Sequence, residues 1–208
     1  TEGNPALEAW QASFMGTSGI SGAVLAGGEG RRMGGPKSGL RVGDEPLVQR
    51  QLRILREAGV AECWLSLGAA PVPGDPGGPN VRVVHDERPG LGPLAGIVRL
   101  LASAGCPLVL VLAVDLPAMT PNYLQGLIAQ CRPGRGVVPV RGGRFEPLAA
   151  IYPTLALSEA ADRLVSDRLA LQPFAAALVS RGFLRVVEVH DPEEPLFLNW
   201  NHPGDYPG

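Results

Sequence analysis

Between Leu25 and Ser38 the chain reads LAGGEGRRMGGPKS, with five glycines beside Arg31, Arg32 and Lys37. Glycines let backbone amides come close to an anion, and clustered cations suit a phosphate chain. Unit charges about 4 Å apart attract by about 4 kcal/mol at an effective dielectric of 20, so two or three cations are enough to grip a triphosphate. An Arg-Arg pair in a turn is by itself an ordinary solvated feature. Two carboxylates add to the case. Asp86 lies just past the strand-like stretch Val81–Val84, and Asp115 follows Leu108–Val114, which is apolar at every position. A carboxylate fixed at the end of a rigid strand is placed to hold Mg²⁺, which binds through one or two carboxylates plus phosphate oxygens. Asp86 alone reads better as a turn or cap residue, and its place at the same sheet edge as the glycine loop is what raises the functional case.

Two familiar nucleotide-binding spellings nearly fit. Gly30 to Gly35 has the span of a Walker A loop, but Pro36 intervenes before Lys37 and Ser38. That motif needs a helix at its lysine, and Gly39, Gly43 and Pro46 do not suit a helix interior. Asp115 at the end of an apolar strand would pass for a Walker B, which keeps this alternative open. A dinucleotide fingerprint fits less well. Gly34 comes one residue late, and Leu67 is followed by Gly-Ala-Ala where an acidic residue is expected. What remains is a long glycine loop leaving a buried strand.

The elements that must position these residues alternate along the chain. Strands are expected at Ile20–Ala26, Cys63–Leu67, Val81–Val84, Leu108–Val114, Val137–Val140, Leu148–Tyr152 and Leu184–Val189. Helices are expected at Pro46–Ala58, Pro93–Ala104 and Pro121–Cys131, with two more between Tyr152 and Leu184. Pro46 starts the first helix and Gly59 stops it, while Thr120 before Pro121 is the natural cap of the third. Alternation of this kind predicts a mostly parallel sheet with helices on both faces, and ligands in such sheets bind at the carboxyl ends of the strands. Residues 1–18 read as a polar N-terminal extension and 19–208 as one domain.

Bulk properties narrow the class. With 208 residues, 45% of them hydrophobic, the chain can build one substantial core. A formal net charge of −2 offers no general field for nucleic acid. The longest apolar run is too short to span a bilayer, so no membrane association is expected. Three scattered cysteines, Cys63, Cys106 and Cys131, suit a reducing cytoplasm better than a disulfide frame or a zinc site.

Taken in order, Leu25-Ala-Gly-Gly, Arg32-Met-Gly-x-Pro-Lys37, Asp86, Gly92-Pro-Leu-Ala-Gly-Ile97, Asp115-Leu-Pro117, Glu146-Pro-Leu with Tyr152, and Phe197-x-Asn-x-Asn-x-Pro203 form a set. This set resembles the MobA-type nucleotidyltransferases, the molybdenum cofactor guanylyltransferases, from Gly22 to Asp205. The resemblance implies a single-domain α/β, Rossmann-like nucleotidyltransferase fold. It implies transfer of GMP from GTP to the terminal phosphate of molybdopterin, with Mg²⁺ as cofactor and pyrophosphate released. By matching positions, Leu25, Ala26, Gly27, Gly28, Lys37, Ser66, Asp86 and Asp115 form the nucleotide site. Lys37, Arg32 and Asp115 carry catalysis, Asp115 holds the metal, and Asn199 and Asn201 face molybdopterin. Other proteins of molybdenum cofactor biosynthesis are the implied partners of a monomer or weak oligomer.

Three histidines, His85, His190 and His202, form no set with serine, cysteine and carboxylate. The implied chemistry needs none. A phosphate monoester has a second pKa near 6, so its attacking oxygen is already ionised at neutral pH. Alternatives share the phosphate-binding features: another base or acceptor, such as CTP with molybdopterin or a phosphosugar, and a non-catalytic nucleotide-binding relative.

Overall fold

A computed structural model describes residues 19–27, 41–68, 78, 80–86 and 90–200 of the chain. The proposed extension 1–18 lies outside them. The expected strands and helices are all present, each within a helical turn of its expected ends.

Strand β1 (Ile20–Leu25) lies near the middle of the sheet. Its neighbours are β6 (Leu108–Ala113) on one side and β4 (Glu62–Ser66) on the other, both parallel to it, and β5 (Val81–Val84) runs parallel to β4. Every residue of β6 is buried, as its unbroken apolar spelling requires of a strand covered on both faces. Beyond β6 come β9 (Ala149–Pro153), β7 (Gly136–Arg141) and the edge strand β10 (Leu184–Glu188).

The far half departs from a parallel sheet. Strand β9 runs antiparallel to both β6 and β7, while β10 is parallel to β7. The cause is local. A turn at Gly142 and Gly143, both with positive φ, folds β7 back onto the short β8 (Arg144–Phe145), and no helix intervenes before β9. The chain therefore returns in the opposite direction instead of crossing over. The Glu146-Pro-Leu segment lies in this return. Tyr152 is fully buried and donates its hydroxyl proton to the Pro147 carbonyl at 2.7 Å, and Glu146 accepts from Arg141 Nε at 2.9 Å.

Among the described residues five helices cover the sheet. They are α1 (Leu47–Glu57), α2 (Pro93–Ser103), α3 (Pro121–Ile128), α4 (Leu157–Val165) and α5 (Leu171–Ser180). Alternate strand residues face opposite layers. Val24, Leu65, Leu110 and Ile151 pack with Leu52 and Leu55 of α1 and Leu124 of α3. Ala23, Trp64, Val111 and Tyr152 pack with Ile97 of α2, Ala160 of α4 and Phe174 of α5. The period of two thus divides one sheet between two apolar layers, with helices on both faces.

The helix boundaries follow their punctuation. Gly59, at φ +92°, ends α1 in a conformation that disfavours a side chain. Thr120 Oγ1 accepts from Tyr123 N at 3.3 Å, and Pro121 occupies the first turn of α3. A small hairpin of β2 (Arg41–Val42) and β3 (Glu45–Pro46), not expected from the sequence, leads into α1.

Candidate active site

Four strand ends meet on one edge of the sheet, in the spatial order β6, β1, β4, β5. Hydrogen bonds continue past the strands themselves. Val114 N donates to Leu25 O (3.1 Å), Ala26 N to Ser66 O (2.8 Å), Leu67 N to Val84 O (3.2 Å) and Asp86 N to Gly68 O (3.3 Å). The ladder holds Leu25–Gly27, Ser66–Gly68, Asp86 and Asp115 in one row.

Glycine is required where β1 and β4 end. A Cβ on Gly27 would fall 2.7 Å from Gly68 N and 3.0 Å from Gly68 Cα, and Gly68 itself has φ +59°. The two backbones approach too closely for side chains, and the exposed Gly27 then leads the chain into the glycine loop. Helix α2 comes equally close from the side. A Cβ at Gly96 would lie 2.6 Å from Leu25 Cδ2 and 2.8 Å from Ser66 Oγ. Ser66 is therefore buried beneath α2, in the floor of the site.

Asp86 is half-buried at the end of β5. Its Oδ1 is inaccessible and has no hydrogen-bond partner among the described residues. Burial pushes its carboxyl pKa above the usual aspartate range, against the opposing pull of Arg99 and His85. His85 turns Nδ1 to the Gly68 carbonyl at 3.2 Å. A buried carboxylate oxygen in want of a donor suits the N–H groups of a bound base.

Asp115 stands in the turn after β6, half-buried. The turn is held from two sides. From α1, Gln51 Nε2 donates to Leu116 O (2.7 Å) and Ala113 O (3.4 Å), and Arg50 Nε donates to Pro117 O (2.9 Å). From the C-terminal segment, Trp200 N donates to the carbonyl of Asp115 itself at 3.0 Å. That segment is anchored by Phe197, buried at the end of a 3₁₀ turn (Asp191–Phe197), with its ring edge-on to Tyr123 at a centroid separation of 5.4 Å. Asn199 is thereby carried beside the Asp115 turn.

Of the expected site residues, Leu25, Ala26, Gly27, Ser66, Asp86, Asp115 and Asn199 lie along this edge. Gly28, Arg32, Lys37 and Asn201 lie outside the described residues. Gln51, Arg50, Gly68 and Trp200 were not singled out from the sequence. Gln51 had left a signal, as a polar residue on the α1 face that also carries Val48, Leu52 and Leu55.

Asp115 presents one carboxylate at this edge, a hard oxygen ligand of the kind that takes a divalent cation together with phosphate oxygens. Among the described residues no three His, Cys, Asp or Glu side chains gather into a cage. A single carboxylate completed by phosphate oxygens is the usual arrangement for Mg²⁺. Among the described residues no helix is long and apolar enough to cross a membrane.

Comparison with known proteins meets the same edge. A family described as MobA-like NTP transferase domain matches residues 22–181. A protein of Opitutus terrae named "probable molybdenum cofactor guanylyltransferase" is 43% identical over 199 residues, covering 90% of this chain and 93% of that one. The molybdenum cofactor guanylyltransferase of Cereibacter sphaeroides is 33% identical over 192 residues, covering 89% and 93% respectively. A solved nucleotidyl transferase from Methanothermobacter thermautotroptrophicus shares the fold, with a TM-score of 0.72 at 24% identity over 89% of this chain and 93% of its own. The family match takes in all four strand ends, their glycines and both aspartates, so the chain belongs to the MobA-like NTP transferase domain family.

Proposed function

We propose that this chain transfers GMP from GTP to the terminal phosphate of molybdopterin. One observation carries the reading. The row of strand ends that presents Gly27, Gly68 and Asp86 also presents Asp115, and the C-terminal Leu198–Trp200 run is hydrogen-bonded onto that same turn. In this reading a nucleotide site and a second-substrate site share one boundary, as transfer between two phosphates requires. Relatives named for guanylyl transfer support GTP as the donor and molybdopterin as the acceptor.

In this reading an oxygen of the acceptor phosphate attacks the α-phosphorus of GTP. The bond from that phosphorus to the bridging β-oxygen breaks, and pyrophosphate leaves. The attacking oxygen is ionised at neutral pH, so no side chain has to take its proton. Catalysis then reduces to alignment and to neutralising charge on the phosphates. Backbone amides of Leu25 to Gly28 cradle the phosphate chain, while Arg32 and Lys37 clamp it. Asp86 accepts donors of the base, and Ser66 supports the floor beneath it. Asp115 would hold Mg²⁺, which would supply neutralisation of charge on the phosphate oxygens. Asn199 and Asn201 orient molybdopterin.

The test is binding of GTP, CTP, ATP and NAD, each with and without Mg²⁺, followed by turnover with molybdopterin. Mg²⁺-dependent preference for GTP and formation of the guanine dinucleotide are expected. Preference for CTP would transfer the protein to cytidylyl chemistry, and absence of nucleotide binding would remove the enzymatic reading.

A further inference from the structure

Helix α1 carries one polar residue in a fully buried position. Gln51 has no exposed surface, and its buried neighbours on the helix are Leu47, Val48, Leu52, Ile54 and Leu55. Burying a carboxamide costs free energy unless its hydrogen bonds are replaced. Here the replacement is incomplete: Oε1 has no partner among the described residues. Oε1 therefore returns nothing for its desolvation, and the benefit of a carboxamide at this position must come from its amide nitrogen.

The amide nitrogen shows where the benefit lies. Gln51 Nε2 reaches the carbonyls of Ala113 and Leu116, on either side of Asp115 and 62 and 65 residues distant in sequence. The adjacent Arg50 takes the next carbonyl, Pro117 O, and its guanidinium also lies 3.8 Å from Glu45 Oε2 in the hairpin that leads into α1. Two successive residues of a rigid helix therefore fix the turn on which Asp115 stands. A carboxylate that binds a metal weakly by itself depends on such support, because the partners behind a ligand set its orientation.

We propose that Gln51 is a positioning residue for Asp115, holding the Ala113–Pro117 turn in the conformation that receives the metal of the metal–nucleotide complex. The inference rests on the reading of Asp115 as the metal carboxylate. Gln51 touches no substrate. Its effect is on how strongly the metal tightens nucleotide binding.

The experiment measures GTP affinity in EDTA and at saturating Mg²⁺, without acceptor, so that no turnover enters. The ratio of the two affinities is the metal's contribution. Gln51→Met keeps the volume and removes the donor, and Gln51→Leu serves if that variant does not fold. Ile54→Val, on the same helix and equally buried, controls for loss of packing, with melting temperature recorded throughout. The Gln51 variant should lose about tenfold in the ratio, the lower end of what losing a partner behind a metal ligand costs. Its affinity in EDTA should be unchanged, and Ile54→Val should lose stability with no change in the ratio.

An unchanged ratio in the Gln51 variants overturns the inference, as does a loss matched by Ile54→Val. Failure of both Gln51 variants to fold assigns the residue to folding and also overturns it. Asp115→Asn separates the two levels. If that variant keeps the wild-type ratio, or the wild type shows no effect of Mg²⁺, the reading of Asp115 falls. If Asp115→Asn loses the ratio while Gln51→Met keeps it, only the positioning role falls.

Discussion

Gly27→Ala is the smallest change that should disturb the site without touching its charges. The new Cβ would lie 2.7 Å from Gly68 N, about 0.7 Å short of ordinary contact, and 3.0 Å from both Gly68 Cα and Leu67 C. All three obstacles are backbone atoms of a chain hydrogen-bonded on both sides, so no rotamer change relieves them. The ends of β1 and β4 must separate. Forcing an extra methyl group into packed structure costs about 1–3 kcal/mol. For a domain of this size that is a fall in melting temperature of about 2–12 °C. The same displacement moves the start of the glycine loop relative to Asp115. A misplacement near 1 Å costs about 10²-fold in rate, so a loss of roughly 10- to 10²-fold in kcat/KM is expected here. Differential scanning calorimetry and GTP-dependent turnover measure the two effects, and they should appear together. Wild-type melting with wild-type kcat/KM would show that the two strand ends separate freely, and would refute the argument that their close approach sets the site.

Three further predictions use other parts of the molecule. Gly126→Ala is the contrasting glycine: it lies exposed inside α3 with nothing within 4 Å of a Cβ, so it should stabilise the protein by about 0.5–1 kcal/mol in a denaturant titration. Phe197→Ala removes the anchor of the C-terminal segment and should cost about 3–5 kcal/mol. In that variant KM for molybdopterin should rise more than KM for GTP, which feels only the loss of the Trp200 contact to the Asp115 turn, and equal changes in both would detach Asn199 from the acceptor. Asp86→Asn tests the raised pKa. A carboxyl whose folded pKa lies above its unfolded value near 3.8 stabilises the fold below that value and loses the contribution as pH rises through the folded pKa. The melting temperature of the Asn variant relative to wild type should therefore climb as pH rises from 3.8 and level off once Asp86 is ionised. A difference that stays flat across this range would contradict the burial argument.

The parts of this protein legible in the sequence are those specified within one element. An all-apolar Leu108–Val114 announces a strand covered on both faces, and Thr120-Pro121 announces a helix start, because strand burial and capping are decided within a few residues. The direction of β9 was not legible in the same way. It depends on whether the segment after β7 crosses over or folds back, and the Gly142–Gly143 turn settles this through a hairpin absent from a strand-helix alternation. The site divides along the same line. Asp86 and Asp115 were visible as carboxylates at strand ends. The contacts that orient the Asp115 turn come from Gln51 and Arg50, 65 and 67 residues away, and from Trp200 N at the far end of the described chain. No local pattern encodes those distances. They arise because β6 lies beside β1, which places α1 over the end of β6, and because Phe197 seats on Tyr123 and delivers the last segment to the same turn. The chemistry-bearing residue types are thus written locally, while their orientation is a property of the topology. The signal that links the two levels is a polar residue on an apolar helix face, and at Gln51 it points to the turn that carries Asp115.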